Sequence, residues 1–322
     1  MAAERTAGGR WARAERTWRP GRPVPLPAVI GTLRRGAGDP AFRYDRGSVW
    51  RTLRTPEGPA TLHLVGDAAG DGVTAVGWGP GRQWALEHVP SMLGGADDTA
   101  DDFVRAHAHR HPFVAHALRL HPHYRVQRTG LVFEAALAAA LEQKVTGQEA
   151  FTGWRRLLRR FGEPAPGPGA DLGMCVPPTP ETVRAVPSWE WLRLPVDPAR
   201  SRVAVTAARV APALERTLGL PGAEVARRLT TLPGVGVWTA AEVRQRAHGD
   251  PDAPSFGDYH VPGFIGCTLA GEPVDDAGMA ALLEPYRGHR FRVQRLVELC
   301  GTRRPRHGPR MGPRQHLPGR VG

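Results

Sequence analysis

The Leu-Pro-Gly-Val-Gly segment at 232–236 constrains the fold of this chain most strongly, because it predicts a tight hairpin between two helices. Proline presets φ, and the two glycines allow a positive φ or a close backbone approach. The next helix, from Val237, would begin with uncovered backbone N–H groups, and such groups bind phosphate. A simple joining turn is the alternative, but the preceding leucine and the small residues after it favour close helix packing. The segment therefore predicts a device that holds a phosphate backbone without reading its sequence.

A lone aspartate, Asp258, lies 20 residues beyond Trp238 in the run Ser-Phe-Gly-Asp-Tyr-His. With the hairpin and the Val-Trp-Thr-Ala string at 237–240, this spacing resembles the DNA glycosylases of the helix–hairpin–helix superfamily. The bacterial 3-methyladenine DNA glycosylase II, or alkylpurine, branch is the most similar. The Leu-Glu-Gln-Lys-Val-Thr segment at 141–146 resembles a second motif of that branch. The resemblance covers residues 25–300 and is strongest in the part after residue 130.

The resemblance implies an α+β, mainly α fold, in which helical helix–hairpin–helix glycosylase lobes follow a small antiparallel β-sheet domain. The residue pattern points the same way. Apolar runs between turn residues predict strands at 42–44, 48–53, 60–65 and 73–78. Helical periodicity takes over from Thr99 onwards.

The net charge of +12 is distributed unevenly along the chain. Residues 1–24 carry +4 and residues 301–322 carry +6, which leaves +2 for residues 25–300. Both ends are rich in Gly, Pro and Arg and cannot bury a core. We expect disordered Arg-rich tails at 1–24 and 301–322, a sheet domain at 25–100 and the helical glycosylase domain at 101–300. The tails either add non-specific phosphate affinity or are solvated ends.

The expected catalytic residue is Asp258. Removal of a damaged base breaks a C–N glycosidic bond through an oxocarbenium-like sugar, and a nearby carboxylate stabilises that cation. The resemblance assigns this role to Asp258, and a helix N-cap is a second role compatible with it. Trp238 is expected in the substrate pocket, where an indole face attracts a cationic alkylated base. A tryptophan packed in the core between lobes is the alternative.

Two glutamates depart from the alkylpurine pattern at expected pocket positions. Glu242 lies one turn after Trp238, where that branch commonly has a tyrosine, and Glu298 lies near the expected position of another aromatic. A buried glutamate beside Asp258 would have a raised pKa. It would then hold a cationic base or donate a proton to a neutral one. The alternative is that Glu242 turns outwards to Arg246.

The expected DNA contacts lie on the hairpin and on the 141–146 segment. The hairpin contacts are Gly234, Val235, Gly236 and Thr239. Lys144 stands where the family places an apolar wedge in the gap left by the flipped base; a lysine stem can fill that gap while its ammonium reaches a phosphate. Gln143 would contact the bases beside the gap. A solvated helix end is the alternative for both residues.

Lysine is nearly absent, which bears on the mechanism. Of 43 basic residues only Lys144 is a lysine. Bifunctional glycosylases form a Schiff base through a lysine that occupies the position of Trp238 in the family. We therefore expect a monofunctional DNA glycosylase that hydrolyses the N-glycosidic bond of damaged, alkylated purines in duplex DNA. The alternatives are a glycosylase for neutral, oxidised or deaminated bases and a non-catalytic protein that binds damaged DNA.

The sequence also bounds cofactors, partners and location. Its three cysteines, Cys175, Cys267 and Cys300, are too few and too scattered for a zinc or four-cysteine iron–sulfur site. No organic cofactor is implied, although the resemblance allows an alkali cation on the hairpin carbonyls. With no apolar run long enough to span a bilayer, we expect a cytoplasmic, nucleoid-associated monomer. Its partner would be double-stranded DNA with a damaged base.

Overall fold

The structure, a computed structural model, describes residues 11–67 and 70–302. Its main sheet has five antiparallel strands: β1 (Arg13–Trp18), β2 (Phe42–Asp45), β3 (Ser48–Thr55), β4 (Gly58–Gly66) and β5 (Val73–Trp78). Their spatial order is β1-β5-β4-β3-β2. All four strands expected from the apolar runs are present, and the predicted mainly helical α+β class is confirmed.

Turn chemistry sets the register of the first hairpin. β2 and β3 are joined by Arg46 and Gly47, which both have positive φ (45° and 84°). A two-residue loop with positive φ at both positions matches the right-handed twist of the flanking strands. Phe42 then pairs with Arg51. This register turns Val49, Leu53, Leu62 and Leu64 of β3 and β4 into the core, where each is fully buried.

The first tail contains a strand, which corrects the expectation of disorder across residues 1–24. β1 pairs with β5 over its whole length, from Arg13 opposite Trp78 to Trp18 opposite Val73. Without β1, the edge of β5 would present unpaired N–H and C=O groups. A polar, arginine-rich segment can complete such an edge because the ladder uses backbone groups. Residues 1–10 and 303–322 lie outside the described part of the chain.

The helices follow the sheet in chain order. They are α1 (Leu26–Ile30), α2 (Arg82–Met92), α3 (Ala100–His107), α4 (Pro112–Leu120), α5 (Val132–Glu142), α6 (Gly147–Phe161), α7 (Pro168–Asp171), α8 (Pro180–Ala185), α9 (Ser188–Arg193), α10 (Pro198–Arg209), α11 (Ala211–Glu215), α12 (Gly222–Thr230), α13 (Val237–Val243), α14 (Val261–Leu269), α15 (Asp276–Leu283) and α16 (Arg290–Cys300). A π-helical turn, Arg244–His248, extends α13. A two-stranded ribbon of β6 (Glu163–Pro164) and β7 (Cys175–Val176) flanks α7. No helix in the described ranges is long and apolar enough to cross a membrane.

Side-chain caps fix several helix starts. Thr146 and Glu149 form a reciprocal capping box at α6, in which Thr146 accepts from the Glu149 N–H and Glu149 accepts from the Thr146 N–H. Asp197 caps α10 by accepting from the Arg200 N–H at 3.0 Å. Each such cap satisfies N–H groups that have no partner inside the helix and contributes about 1 kcal/mol.

Two hydrophobic cores define two lobes. The first lobe buries one face of the sheet together with α1–α4 and the C-terminal helices α14–α16. The second lobe consists of α5, α6 and α8–α13. The predicted domains divided the chain at residue 100, but the two cores do not. Phe103 and the helices after residue 260 share the core of the sheet, because the chain leaves the first lobe, builds the second and returns.

Candidate active site

The predicted hairpin lies between α12 and α13. Gly234 has φ +83°, and a Cβ at this position would lie 2.5 Å from Cγ2 of Val203 on α10. Both facts require glycine. The N–H of Val235 closes the turn on the Leu232 carbonyl at 3.0 Å. Sequence and structure therefore agree on a hairpin pressed against the second lobe.

The start of α13 is open. Its N-cap, Gly236, is extended and makes no side-chain cap, and a Cβ added there would meet nothing within 4 Å among the described residues. Val237, the first helical residue, is 65% exposed. The N–H groups of the first turn are thus accessible to an anion, as the segment predicts.

Gln143, at the end of α5, forms hydrogen bonds with the hairpin and with α13. Its Nε2 donates to the Gly234 carbonyl at 2.9 Å and to the Thr239 hydroxyl at 2.8 Å. Thr239 as a whole residue is only 3% exposed, and its hydroxyl already accepts the Gln143 amide; a contact between Thr239 and DNA stays a prediction. The structure gives Gln143 a positioning role within the protein; its contact with bases stays a prediction.

Lys144 lies at the end of α5, one residue beyond that anchor. It is exposed and has a positive φ of 51°, which is uncommon for a residue with a side chain. The conformation turns the chain sharply before the capping box of α6. Lys144 is therefore exposed next to the residue that contacts the hairpin; its role as a wedge stays a prediction.

Asp258 is held between the two lobes by both carboxylate oxygens. Oδ1 accepts the backbone N–H groups of His260 at 2.7 Å and Val261 at 3.0 Å, at the start of α14. Oδ2 accepts the indole N–H of Trp238 at 3.1 Å. The aspartate is therefore a helix cap and also points its second oxygen across to α13. The positive N-terminal end of the α14 dipole lies beside this carboxylate.

Trp238 meets Asp258 at the mouth of the hairpin. The side chain is half-buried, so it is not a fully packed core residue. Its N–H bond to Asp258 fixes the orientation of the ring. Next to the carboxylate, Tyr259 is 92% exposed. The charge, an aromatic face and free surface come together at this point.

Glu242 is buried. One alternative from the sequence was that it turns outwards to Arg246; Arg246 is its partner, but Glu242 does not turn outwards. The residue is 7% exposed, and Oε2 lies 2.6 Å from Nη1 of Arg246. Oε1 accepts the hydroxyl of Ser255 at 2.9 Å. Burial raises the pKa of Glu242, and the Arg246 guanidinium opposes that rise without cancelling it. The charge of Glu242 is therefore paired inside the protein.

Glu298 on α16 has a similar arrangement. Its Oε2 lies 2.5 Å from Nη1 of Arg295, and its Oε1 accepts Nε2 of Gln294 at 2.8 Å. The sequence interpretation missed Gln294 and Ser255, which link the two glutamates. A signal was available: Gln294 lies four residues before Glu298 on α16, so both share one helix face.

An open cleft beside α12 lies apart from this constellation. In the described ranges, no group of three or more His, Cys, Asp or Glu side chains could hold a metal ion. An open cleft of about 590 Å³ lies beside α12 and the π-helical turn, lined among others by Arg128, Arg244 and Asp250. Neither Trp238 nor Asp258 lines it, and it plays no part in the site described above.

The chain has the same fold as solved helix–hairpin–helix DNA glycosylases, as the sequence motifs predicted. The 3-methyladenine DNA glycosylase of Archaeoglobus fulgidus has a TM-score of 0.69 at 17% identity, over 88% of this chain and 97% of that one. The apo-form of the Clostridium acetobutylicum 8-oxoguanine glycosylase/lyase has a TM-score of 0.68 at 12% identity, over 90% and 98%.

A sequence relative is the "Probable bifunctional transcriptional activator/DNA repair enzyme AlkA" of Mycobacterium tuberculosis. It is 32% identical over 134 residues, which are 41% of this chain and 26% of the relative. The chain thus spans about a quarter of the length of this curated relative. No family model matches the chain.

Proposed function

We propose that this protein is a monofunctional DNA glycosylase that releases alkylated purines from duplex DNA. The observation that carries the proposal is the 3.1 Å contact between the Trp238 indole and the Asp258 carboxylate, at the mouth of the hairpin. A carboxylate has no use in a protein that only grips phosphates, since it repels them. The names of the A. fulgidus and M. tuberculosis proteins, a 3-methyladenine glycosylase and a DNA repair enzyme, support the same activity.

The chemistry follows from the two residues. The damaged base leaves the stack, at a cost of roughly a few kcal/mol, and its sugar comes to lie beside Asp258. As the glycosidic bond breaks, the carboxylate stabilises the positive charge on the sugar and orients the attacking water. The Trp238 face attracts a cationic purine by roughly 0.5–2 kcal/mol. The bonds from α14 hold Asp258 in place throughout.

The hairpin would hold the DNA backbone. The N–H groups that follow Gly236 would bind a phosphate, and Lys144 would enter the space that the flipped base vacates. The Gly234 carbonyl already accepts the Gln143 amide, but a carbonyl has a second lone pair. An alkali cation at the hairpin therefore remains part of the proposal, as does a monomer acting at the nucleoid.

A second candidate is a glycosylase for a neutral base, and one observation favours it. Glu242 and Glu298 are each paired with an arginine, so the two expected pocket acids offer no unpaired negative charge to a cationic purine. A non-catalytic damage-binding protein is the third candidate. It leaves unexplained why Asp258 is held so firmly between the lobes.

An assay of base release distinguishes the three candidate functions. The full-length protein is incubated with duplexes that each contain one methylated, deaminated or oxidised base, and the freed base is quantified. Release of 7-methylguanine or 3-methyladenine above the deaminated and oxidised bases would support the proposal. Preference for a neutral base would select the second candidate, and binding of damaged duplex without release of any base would select the third.

A further inference from the structure

Ser255 lies at the centre of a buried polar cluster that also contains Glu242, Gln245 and Gln294; we refer to these four residues as the Ser255 cluster. Each is at most 7% exposed. Glu242 and Gln245 come from α13 and its π-helical turn in the second lobe, and Gln294 comes from α16 in the first. The cluster therefore joins the lobes a short distance from Asp258.

Every hydrogen-bonding position of the Ser255 hydroxyl is occupied. The hydroxyl donates to Oε1 of Glu242 at 2.9 Å and accepts Nε2 of Gln245 and Nε2 of Gln294, both at 2.9 Å. A serine hydroxyl has one proton and two lone pairs, so this environment satisfies it completely. A fully satisfied buried network specifies a single arrangement, because any displacement leaves polar atoms unpaired.

The backbone around Ser255 is fixed by the same side chains. Its N–H donates to Oε1 of Gln294 at 2.8 Å, and Gln245 Nε2 donates to the Ala253 carbonyl at 2.7 Å. The Ser255 carbonyl then accepts the Asp258 N–H at 3.2 Å, closing a turn. The cluster thus holds the beginning of the turn whose last residue is Asp258.

Trp238 and Glu242 lie one turn apart on the same helix, and both reach this turn. Trp238 contacts the carboxylate directly, whereas Glu242 contacts Ser255, three residues earlier. We propose that Ser255 is a positioning residue, through which Glu242, Gln245 and Gln294 set the distance between Asp258 and the α13 face that carries Trp238. This inference rests on the proposed function, and it gives Glu242 a mechanical role independent of the charge of the base.

The test compares Ser255→Ala with Ser201→Ala in the full-length protein. Ser201 is also a buried serine, but its hydroxyl donates only within its own helix, to the Pro198 carbonyl. Single-turnover release is measured on duplexes with 7-methylguanine, which is cationic, and hypoxanthine, which is neutral. A misplacement of about 1 Å costs on the order of 10²-fold in rate, so we expect Ser255→Ala to lower release of both bases by the same factor of about 10 to 100. Affinity for abasic-site duplex should be retained.

Hydrogen exchange provides a readout that does not depend on activity. In Ser255→Ala the amides of residues 255, 258, 260 and 261 should exchange faster, whereas in Ser201→Ala they should exchange as in the parent. Ser255→Cys, which keeps a weak donor and acceptor, should be intermediate in both measurements and replaces the alanine variant if that one does not fold.

Unchanged release rates and exchange in Ser255→Ala would overturn the proposal. If the parent releases both bases, a loss confined to 7-methylguanine would also overturn it and would indicate an electrostatic role for Glu242. If the parent protein releases neither base, the proposed glycosylase function fails. The exchange comparison still decides whether Ser255 holds the Asp258 turn.

Discussion

Replacing Asp258 by asparagine tests the core of the mechanism, and the structure specifies what the change does. The asparagine carbonyl can keep both backbone bonds that Oδ1 now makes with α14. Its amide nitrogen then occupies the place of Oδ2 and faces the indole N–H of Trp238, which is now 3.1 Å from that oxygen. The variant therefore loses the negative charge and brings two hydrogen-bond donors together.

The two effects have different magnitudes and different readouts. Loss of a group that stabilises developing charge lowers the rate by about 10²–10³-fold, or about 2.7–4 kcal/mol. The donor–donor contact lowers the free energy of unfolding. An unpaired buried donor costs about 1–3 kcal/mol, and because Trp238 is half-buried we expect the lower end, about 1 kcal/mol. The helix cap contributes little to the change, since Asn and Asp cap almost equally well.

A double-mutant cycle separates them. Asp258→Asn, Trp238→Phe and the double variant are compared with the parent in single-turnover base release and in urea unfolding. Phenylalanine keeps an aromatic face and removes the N–H. The Asp258→Asn change lowers the free energy of unfolding in the parent, but it should not do so in the Trp238→Phe background. The base release of the double variant should remain as low as that of Asp258→Asn.

Two results would refute the reasoning. Parent-like base release by Asp258→Asn would remove the aspartate from the mechanism. A stability loss that persists unchanged in the double variant would show that the indole N–H does not face the second oxygen. Binding to abasic-site duplex should survive in all four proteins and serves as the control for folding of the hairpin.

Three further outcomes are expected. Borohydride should trap no covalent protein–DNA adduct, because the hairpin carries no lysine; a strong adduct that disappears in Lys144→Ala would contradict a monofunctional enzyme. Gly234→Ala should lose about 1–3 kcal/mol of stability through its strained φ and weaken DNA binding, whereas Gly236→Ala in the same hairpin should unfold like the parent; equal stability losses would contradict the hairpin geometry. Burial lowers the pKa of His248 to about 4. The contribution of buried, neutral His248 to the free energy of unfolding is therefore fully present above the unfolded pKa of 6.5 and is lost as pH falls towards 4. Between about pH 7 and about pH 5 the parent should lose about 2 kcal/mol more unfolding free energy than His248→Gln. Exposed His109→Gln is the control, and parallel pH profiles for all three proteins would contradict the assignment.

Local chemistry explains the parts of the structure that were predicted from sequence. The hairpin requires a proline and two glycines in a fixed order, and Gly234 adopts the positive φ that its place in the motif demands. The strands between residues 42 and 78 follow from short apolar runs and turn residues, which act within a few positions. That Trp238 and Asp258 belong to one site could be predicted because the family motif contains their spacing of 20 residues; the hydrogen bond between them was found only in the structure.

Contacts between distant segments were decided only by the tertiary structure. β1 has a composition typical of a disordered tail, and only the open edge of β5, more than 50 residues away, makes it a strand. The division into two cores could not be predicted from the sequence either, because the helices after residue 260 return to cover the sheet.

The role of Glu242 illustrates the reason. Its sequence position indicated an acid where the alkylpurine branch commonly has a tyrosine, but not whether that acid faces a ligand or the protein. Arg246 on the same helix could be foreseen as a partner from its i,i+4 spacing. Ser255 and, through it, Gln294 could not, since their contacts form only when the two lobes close on each other. The sequence by itself determined the chemical groups available near Asp258; packing of the lobes determined which of them satisfy one another, because a buried polar group must find its partner wherever the fold supplies one.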